Sequence, residues 1–472
     1  MVVQVPHPTI ARDHCLAPAR SVEGHAPSVD APSGGISSKY GRLFPRVAPF
    51  TADEEFLIRL GGSQGPCDGG LFAGAGDDAH VAAGWPLFGQ FIAHDITADR
   101  SLLLQHAEAD HLANFRTPRA NLECLYGDGP VGNPFLYDRG DPAKLLIGTN
   151  DQGAPGDLPR NAQGIALVGD PRNDVHLFVS QLHLAMLKTH NLLVDRLRED
   201  GEPEAELFES ARRANTWHYQ WVIVNDFLPT VVGPELLAEL LAEGPRWYHP
   251  EGPTYIPLEF ADAAYRYGHS QIRHSYRLQA GGPELPLFPD LLGFQPVPAN
   301  RRVDWTQLFA FPGHPAPQPS KKIDGRLARS LIELPMAITG EVEVAAYHSL
   351  AVRDLQRGQA YGLPSGETLS RALGIQPLVA DETGLGDLGW EGETPLWYYL
   401  LKEAEVRSDG ERLGPLGGRI VAEILLGIID RDPESYRAVK LDWRPTLPAA
   451  RPGSFNVTDL LAAGESTGAR PH

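Results

Sequence analysis

Apolar residues recur at helical spacing through most of the chain. In PLFGQFIAHDIT, residues 86–97, Leu87, Phe88, Phe91 and Ile92 share one face, which predicts a helix. In LFVSQLHLAMLKTHNLLVDRL, residues 177–197, leucines and valines fall on most sides. That pattern predicts a long helix buried inside a domain. Further helices are predicted over 205–228, closed by Pro229, and over 234–243, with a proline in the first turn. The same periodicity marks 325–358, 395–406 and 415–429. Thr51-Ala-Asp-Glu resembles a capping box and predicts a short helix starting near Thr51. The stretches 61–80 and 110–170 are crowded with Gly, Pro, Asp and Asn and read as loop. There is no run of alternating strands, no internal repeat and no heptad series. The pattern is mainly α, with long loops and little β beyond a minor hairpin. Residues 1–40 read as an extended arm, 41–455 as one large domain, and 456–472 as a C-terminal tail.

Composition narrows the function classes. Hydrophobic residues make up 42% and charged residues 21% of the 472, as in ordinary globular proteins. A formal net charge of −19 disfavours nucleic acid and anionic membranes as partners. No apolar run is long enough for a membrane span, so none is expected. The first fifteen residues lack the apolar core of a signal peptide, so a cytoplasmic location is the expectation. Cys15, Cys67 and Cys124 are sparse and show no CxxC spacing, which excludes a disulfide framework, a zinc site and c-type haem attachment.

Several polar residues stand out against this background. Gln90 and His94 are four apart on a predicted helix and share one face, whereas Asp95 points about 100° away. Arg172, in GDPRND just before the long apolar helix, needs an anionic partner or ligand if it is buried. His269 follows Gly268, which permits close approach of a flat ligand, and Arg266, Arg273 and Arg277 supply cations for a cofactor's carboxylates. Asp354 could accept an imidazole N–H. Thr117, Asn121 and Glu123 offer oxygens that, with Asp95, could form a calcium site. Taken one at a time, each has an ordinary explanation: a satisfied core histidine, a structural ion pair, a solvated loop.

Taken in order, the segments resemble the animal-type haem peroxidase superfamily, also called the peroxidase–cyclooxygenase superfamily, and in particular its bacterial members. FGQFIAHD resembles the distal motif, which carries over Gln90, His94 and Asp95. GDPRND resembles the motif of the distal arginine, hence Arg172, and RYGH the proximal motif, hence His269. VRDLQRGQAYGLP resembles the segment that supplies the proximal histidine's hydrogen-bond partner, hence Asp354. RTPRANLECLYG resembles the calcium loop, which adds Arg119 to Asp95, Thr117, Asn121 and Glu123 as candidate ligand positions. YGRLFP and NDFLP agree as well, so the likeness runs from about residue 40 to 455.

The resemblance implies a large single-domain helical fold and an enzyme that reduces hydrogen peroxide through a ferryl intermediate and oxidises a small-molecule donor. It implies His94 and Arg172, with Gln90, as the catalytic distal groups and His269 as axial ligand to the haem iron. The donor stays open among halides, phenols and pathway metabolites. The chain also departs from the pattern. Ala93 and Val175 stand where mammalian members bear ester-forming carboxylates, and His176 stands where they bear a linking methionine. Haem b held without covalent bonds is therefore implied, with calcium as a candidate second cofactor. The proximal partner is Asp354 rather than the usual Asn, and Asn121 replaces a usual Asp ligand. Two alternatives remain. A cyclooxygenase-like fatty-acid dioxygenase needs a tyrosine three residues before the proximal histidine, where this chain has Arg266. A non-enzymatic haem sensor or carrier has no need of His94 and Arg172.

Overall fold

The computed structural model describes residues 40–71, 77–99, 112–342 and 344–466. The predicted arm at 1–40 lies outside them except for Tyr40, as do 72–76 and 110–111 of the predicted loops and 467–472 of the predicted tail.

The frame is helical. Its main members are α1 (Glu54–Gly61), α2 (Gly84–Ile96), α3 (Leu177–Glu199), α4 (Leu207–Val222), α5 (Pro234–Glu243), α6 (Leu350–Ala360), α7 (Leu396–Ser408), α8 (Pro415–Asp430) and α9 (Val457–Ser466). α3 runs through the centre. Its residues Leu177–Leu187 are all buried, as the apolar run predicts, and it packs on α2, α4 and α9. α9 falls in the segment expected to be a tail, yet Leu460 and Leu461 are buried.

Strand is confined to two-stranded pairs among the described residues. Tyr40–Gly41 runs parallel to Ile256–Pro257, and Asp78–Ala82 antiparallel to Pro319–Lys321. Gly148–Thr149 pairs with Pro155–Asp157, and Ser275–Arg277 forms a hairpin with Glu284–Pro286.

One helix expectation holds and two need correction. A short helix does start near Thr51, but its cap is Asp53, whose carboxylate accepts the Phe56 N–H at 2.7 Å, and α1 begins at Glu54. The helix over 205–228 does not stop at Pro229. It widens into a π turn at Ile223–Phe227 and continues as Leu228–Val232. The wider turn accommodates a residue that has no N–H to give, and Thr230 donates its hydroxyl to the Asp226 carbonyl at 2.8 Å. The stretch 325–358 is broken into Arg329–Ile332, Met336–Thr339, a 3-10 turn at Ala345–His348, and α6. Pro335 and the left-handed Gly340, with φ +70°, interrupt it, and Ser349 caps α6 afresh by accepting the Val352 N–H. α1 crosses α6 at Gly61, where a Cβ would lie 2.7 Å from the Val352 nitrogen. That close crossing seats α6, which carries Asp354.

Candidate active site

α2, the turn before α3, and the short helix Gly268–Gln271 converge on one cavity with about 1200 Å³ of empty space, open mouth included. Gln90, His94, Arg172, His176, Arg266 and His269 all line it. Its remaining wall is largely apolar, with Phe260, Ile272, Leu287, Phe288, Leu331 and Leu350. His94 and His269, 175 positions apart in the sequence, line the same space, an arrangement the fold creates and local sequence does not.

On the α2 side, His94 is buried and its Nδ1 lies 2.8 Å from the Asn173 side-chain oxygen. The amide nitrogen of Asn173 meets His183 Nδ1 at 3.0 Å. In this pairing Nδ1–H of His94 donates to Asn173, and Nε2 keeps the lone pair. Burial, with the Arg172 cation adding to it, pushes the His94 imidazole down to about 3, so it stays neutral at ordinary pH. Sequence reading missed Asn173 and His183. Asn173 was visible only as a letter inside GDPRND, and His183 is hidden in an apolar run.

Arg172 is buried and clamped by Asp170, with Nε to Oδ1 at 3.0 Å and Nη2 to Oδ2 at 2.9 Å. Its Nη2 also reaches the carbonyls of His94 and Thr97. Asp170 is shared with a second buried guanidinium, Arg116, whose Nε lies 3.0 Å from Oδ2. Burial alone would raise the Asp170 carboxyl, but Arg172 and then Arg116 hold it well below the usual range. The distal arginine thus has a fixed anchor, and Arg116 is another residue that sequence reading passed over.

On the opposite side, His269 Nδ1 lies 2.6 Å from Asp354 Oδ2, on α6. The other Asp354 oxygen meets Arg266 Nη1 at 2.9 Å. Arg266 also binds Asp262 at 2.5 Å and the Ala261 carbonyl at 2.9 Å. So the cation expected to meet a cofactor's carboxylate is engaged by two carboxylates of the protein. Arg273 pairs with Asp78 and Arg277 with Glu284, and neither lines the cavity.

The candidate calcium donors come together only in part. Asp95 is fully buried, and its oxygens accept the Leu122 and Cys124 N–H groups at 2.9 and 3.3 Å. Burial, which these bonds only partly offset, pushes its carboxyl up to about 6. Glu123 turns instead to Thr117, accepting from the hydroxyl at 2.6 Å, and to Arg116 at 3.3 Å. Asn121 receives the weaker Thr117 contact at 3.5 Å, and the Arg119 guanidinium lies 3.9 Å from Asp432. Among the described residues no group of three or more His, Cys, Asp or Glu side chains forms a metal cluster. The loop's acidic oxygens already hold protein donors, so this donor set does not fit a hard divalent cation as it stands.

The residues do fit haem. A flat tetrapyrrole needs an apolar slot with one imidazole presented to the metal, its other nitrogen held by an acceptor. His269 with Asp354 meets the second condition, and the cavity wall the first. Ala93 and Val175 line the cavity and carry no group able to form an ester.

Comparisons with known proteins agree. The family model for animal haem peroxidases matches residues 105–379, which takes in Arg172, His269 and Asp354. Chorion peroxidase of Aedes aegypti is 22% identical over 301 residues, which is 62% of this chain and 37% of that protein. Mouse myeloperoxidase is 26% identical over 233 residues, 46% of this chain and 30% of its own. The chain thus spans about a third of the length of each of these two relatives. Among solved structures, peroxidase A from Dictyostelium discoideum superposes with a TM-score of 0.63 at 15% identity, covering 86% of this chain and 90% of that one. A fatty acid alpha-dioxygenase of Oryza sativa gives 0.60 at 15% identity, over 92% and 79%. At these identities the structures share the fold. With the family model covering more than half of its length, this chain belongs to the animal haem peroxidase family.

Proposed function

We propose that the chain is a haem-dependent peroxidase that reduces hydrogen peroxide and oxidises a small-molecule donor. The observation that carries this reading is one cavity to which His94 and His269 contribute two unlike imidazoles. One is held neutral with its Nε2 lone pair available. The other is tied to a carboxylate through Nδ1.

His269 would hold the iron through Nε2, and the apolar wall would hold the ring without a covalent bond. Bound there, the haem supplies the redox-active Lewis-acid centre at which the O–O bond is broken. His94 takes a proton from peroxide at Nε2 and returns it to the outer oxygen, which then leaves as water. Asn173 keeps the hydrogen on Nδ1 throughout, so Nε2 is the nitrogen that works. Arg172, held by Asp170, donates to the charge that builds on the departing oxygen. Asp354 accepts the His269 N–H and gives the imidazole anionic character.

The test is to reconstitute purified protein with haemin and record the Soret band before and after one equivalent of peroxide. Wild type is expected to show a histidine-ligated ferric band that peroxide converts rapidly. His94→Ala is expected to react about 10²–10⁴-fold more slowly. Failure to bind haem would overturn the reading.

One observation favours a second reading, a fatty-acid dioxygenase. The Tyr265 hydroxyl is buried without a hydrogen-bond partner among the described residues, and Tyr265 lines the cavity. Rapid oxygen uptake with linoleate, abolished in Tyr265→Phe, would replace the peroxidase reading.

A further inference from the structure

A second histidine on the distal side, His176, takes no part in the chemistry above. It ends the turn that carries Arg172 and caps α3, its Nδ1 accepting the Val179 N–H at 3.3 Å. A backbone amide can only donate, so Nδ1 must carry the lone pair. In the neutral ring the hydrogen is then on Nε2. Burial keeps the ring neutral, pushing it down to about 3. Nε2 lies 2.7 Å from the Gln90 side-chain oxygen and donates to it. The assignment of oxygen and nitrogen in Gln90 therefore follows from a donor that cannot be reversed. Its NH₂ group is turned away from His176 and has no protein partner among the described residues. Gln90 precedes His94 by about one helical turn, on the same face of α2.

We propose that His176 is a positioning residue that fixes the Gln90 amide, so that the distal wall offers an N–H donor beside the acceptor Nε2 of His94. Together with Arg172, this wall suits small monobasic acids HX. The proton goes to His94, and the anion is held by the Gln90 and Arg172 N–H groups. With an apolar residue at position 176 the amide could turn its oxygen toward the anion, and one donor would be lost. The inference rests on the haem peroxidase reading and names the residue that sets the ligand preference of that same site.

The experiment uses the haem-loaded protein and fluoride as probe, with the dissociation constant read from absorbance titrations at fixed pH. His176→Asn keeps a good helix cap but is too short to reach Gln90. It is expected to weaken fluoride binding about tenfold or more, the effect of a lost hydrogen bond to a charged group. Gln90→Leu is expected to weaken it by a similar factor, and the double variant by no more than either single one. His176→Gln, whose NH₂ can again donate to Gln90, is expected to stay within about threefold of wild type. Melting curves read the cap separately from the ligand. Unchanged fluoride affinity in His176→Asn or in Gln90→Leu would overturn the proposal, as would additive losses in the double variant. A wild-type protein that takes up no haem would instead overturn the peroxidase reading beneath it.

Discussion

Asn173→Leu removes the acceptor that holds the distal imidazole while nearly conserving volume. Two hydrogen bonds are lost, to His94 at 2.8 Å and to His183 at 3.0 Å, and all three side chains are buried. Each ring nitrogen left without a partner costs about 1–3 kcal/mol, so the variant is expected to lose roughly 2–6 kcal/mol of stability. The chemical effect is separate. Without Asn173 nothing holds the hydrogen on Nδ1 of His94, and the tautomer with hydrogen on Nε2 cannot accept a proton from peroxide. The expected slowing is about 10–100-fold, within the range that positioned acid–base groups contribute. Thermal melting reads the first effect, and stopped-flow mixing of haem-loaded protein with peroxide reads the second. Asn173→Asp is the control. It keeps an acceptor and adds a negative charge, so it should retain the rate at neutral pH while moving the acid limb of the pH profile up from about 3. If haem-loaded Asn173→Leu reacts as fast as wild type, the idea that Asn173 selects the working nitrogen fails.

Three further outcomes are expected. Burial holds His94, His176 and His183 down at about 3, and His190 and His218 at about 4, below the unfolded value of about 6.5. The stability they contribute is present above about pH 6.5 and is lost as pH falls toward 3–4. Asp95 and Asp226, raised to about 6, and Glu403, raised to about 7, work in the opposite sense over the same window. Near pH 5 these histidines take up protons on unfolding, while the three carboxylates, joined by Asp174, Glu259, Glu367 and Asp432, which burial also raises, release them. His218→Gln should therefore lessen the loss of stability between pH 6 and 4.5, and urea midpoints of haem-free protein with the same pH slope in wild type and variant would contradict this. Asp354→Asn and Arg266→Gln should shift the ferric/ferrous potential in opposite directions, the first upward by removing the anion, the second downward by removing a cation paired with Asp354. Spectroelectrochemical shifts of the same sign would refute that coupling. Chelation should leave the melting temperature unchanged, because Asp95 and Glu123 already hold protein donors. A fall on chelation that calcium reverses would show that the loop opens to a cation.

How much of this was legible beforehand varied with the range of the interaction. α2, α3, α5, α7 and α8 follow from apolar periodicity because the core selects those positions one turn at a time. The broken stretch before α6 was less legible. There Pro335 and Gly340 act locally, while the intervening apolar residues keep a helix-like spacing although each short piece packs separately. Gln90, His94, Arg172, His269 and Asp354 were picked out in advance, and the fold gathers the first four around one cavity with Asp354 behind His269. The ion pairs that hold them were not. Asp170 and Arg116 are 54 positions apart, and Arg266 and Asp354 are 88 apart. No local pattern distinguishes these buried pairs from the surface ion pairs that most such residues form. Arg266 did carry one readable signal, Asp262 four residues earlier, which is a helical ion-pair spacing.

The seating of α9 on α3 bears on how the molecule is made. Thr189 on α3 donates to the Leu460 carbonyl at 3.4 Å, and Gly464 lies so close that a Cβ would be 2.6 Å from the Ala185 oxygen. The central helix is therefore covered by a segment translated some 270 residues after it. At ribosomal speeds of about 5–20 residues per second, its apolar flank stays open for roughly 14–54 s before the closing helix is synthesised. Nascent chains of this protein should engage hydrophobic-surface chaperones until residues 457–466 have emerged. A ribosome-bound chain stalled before residue 457 should accumulate in that complex rather than fold.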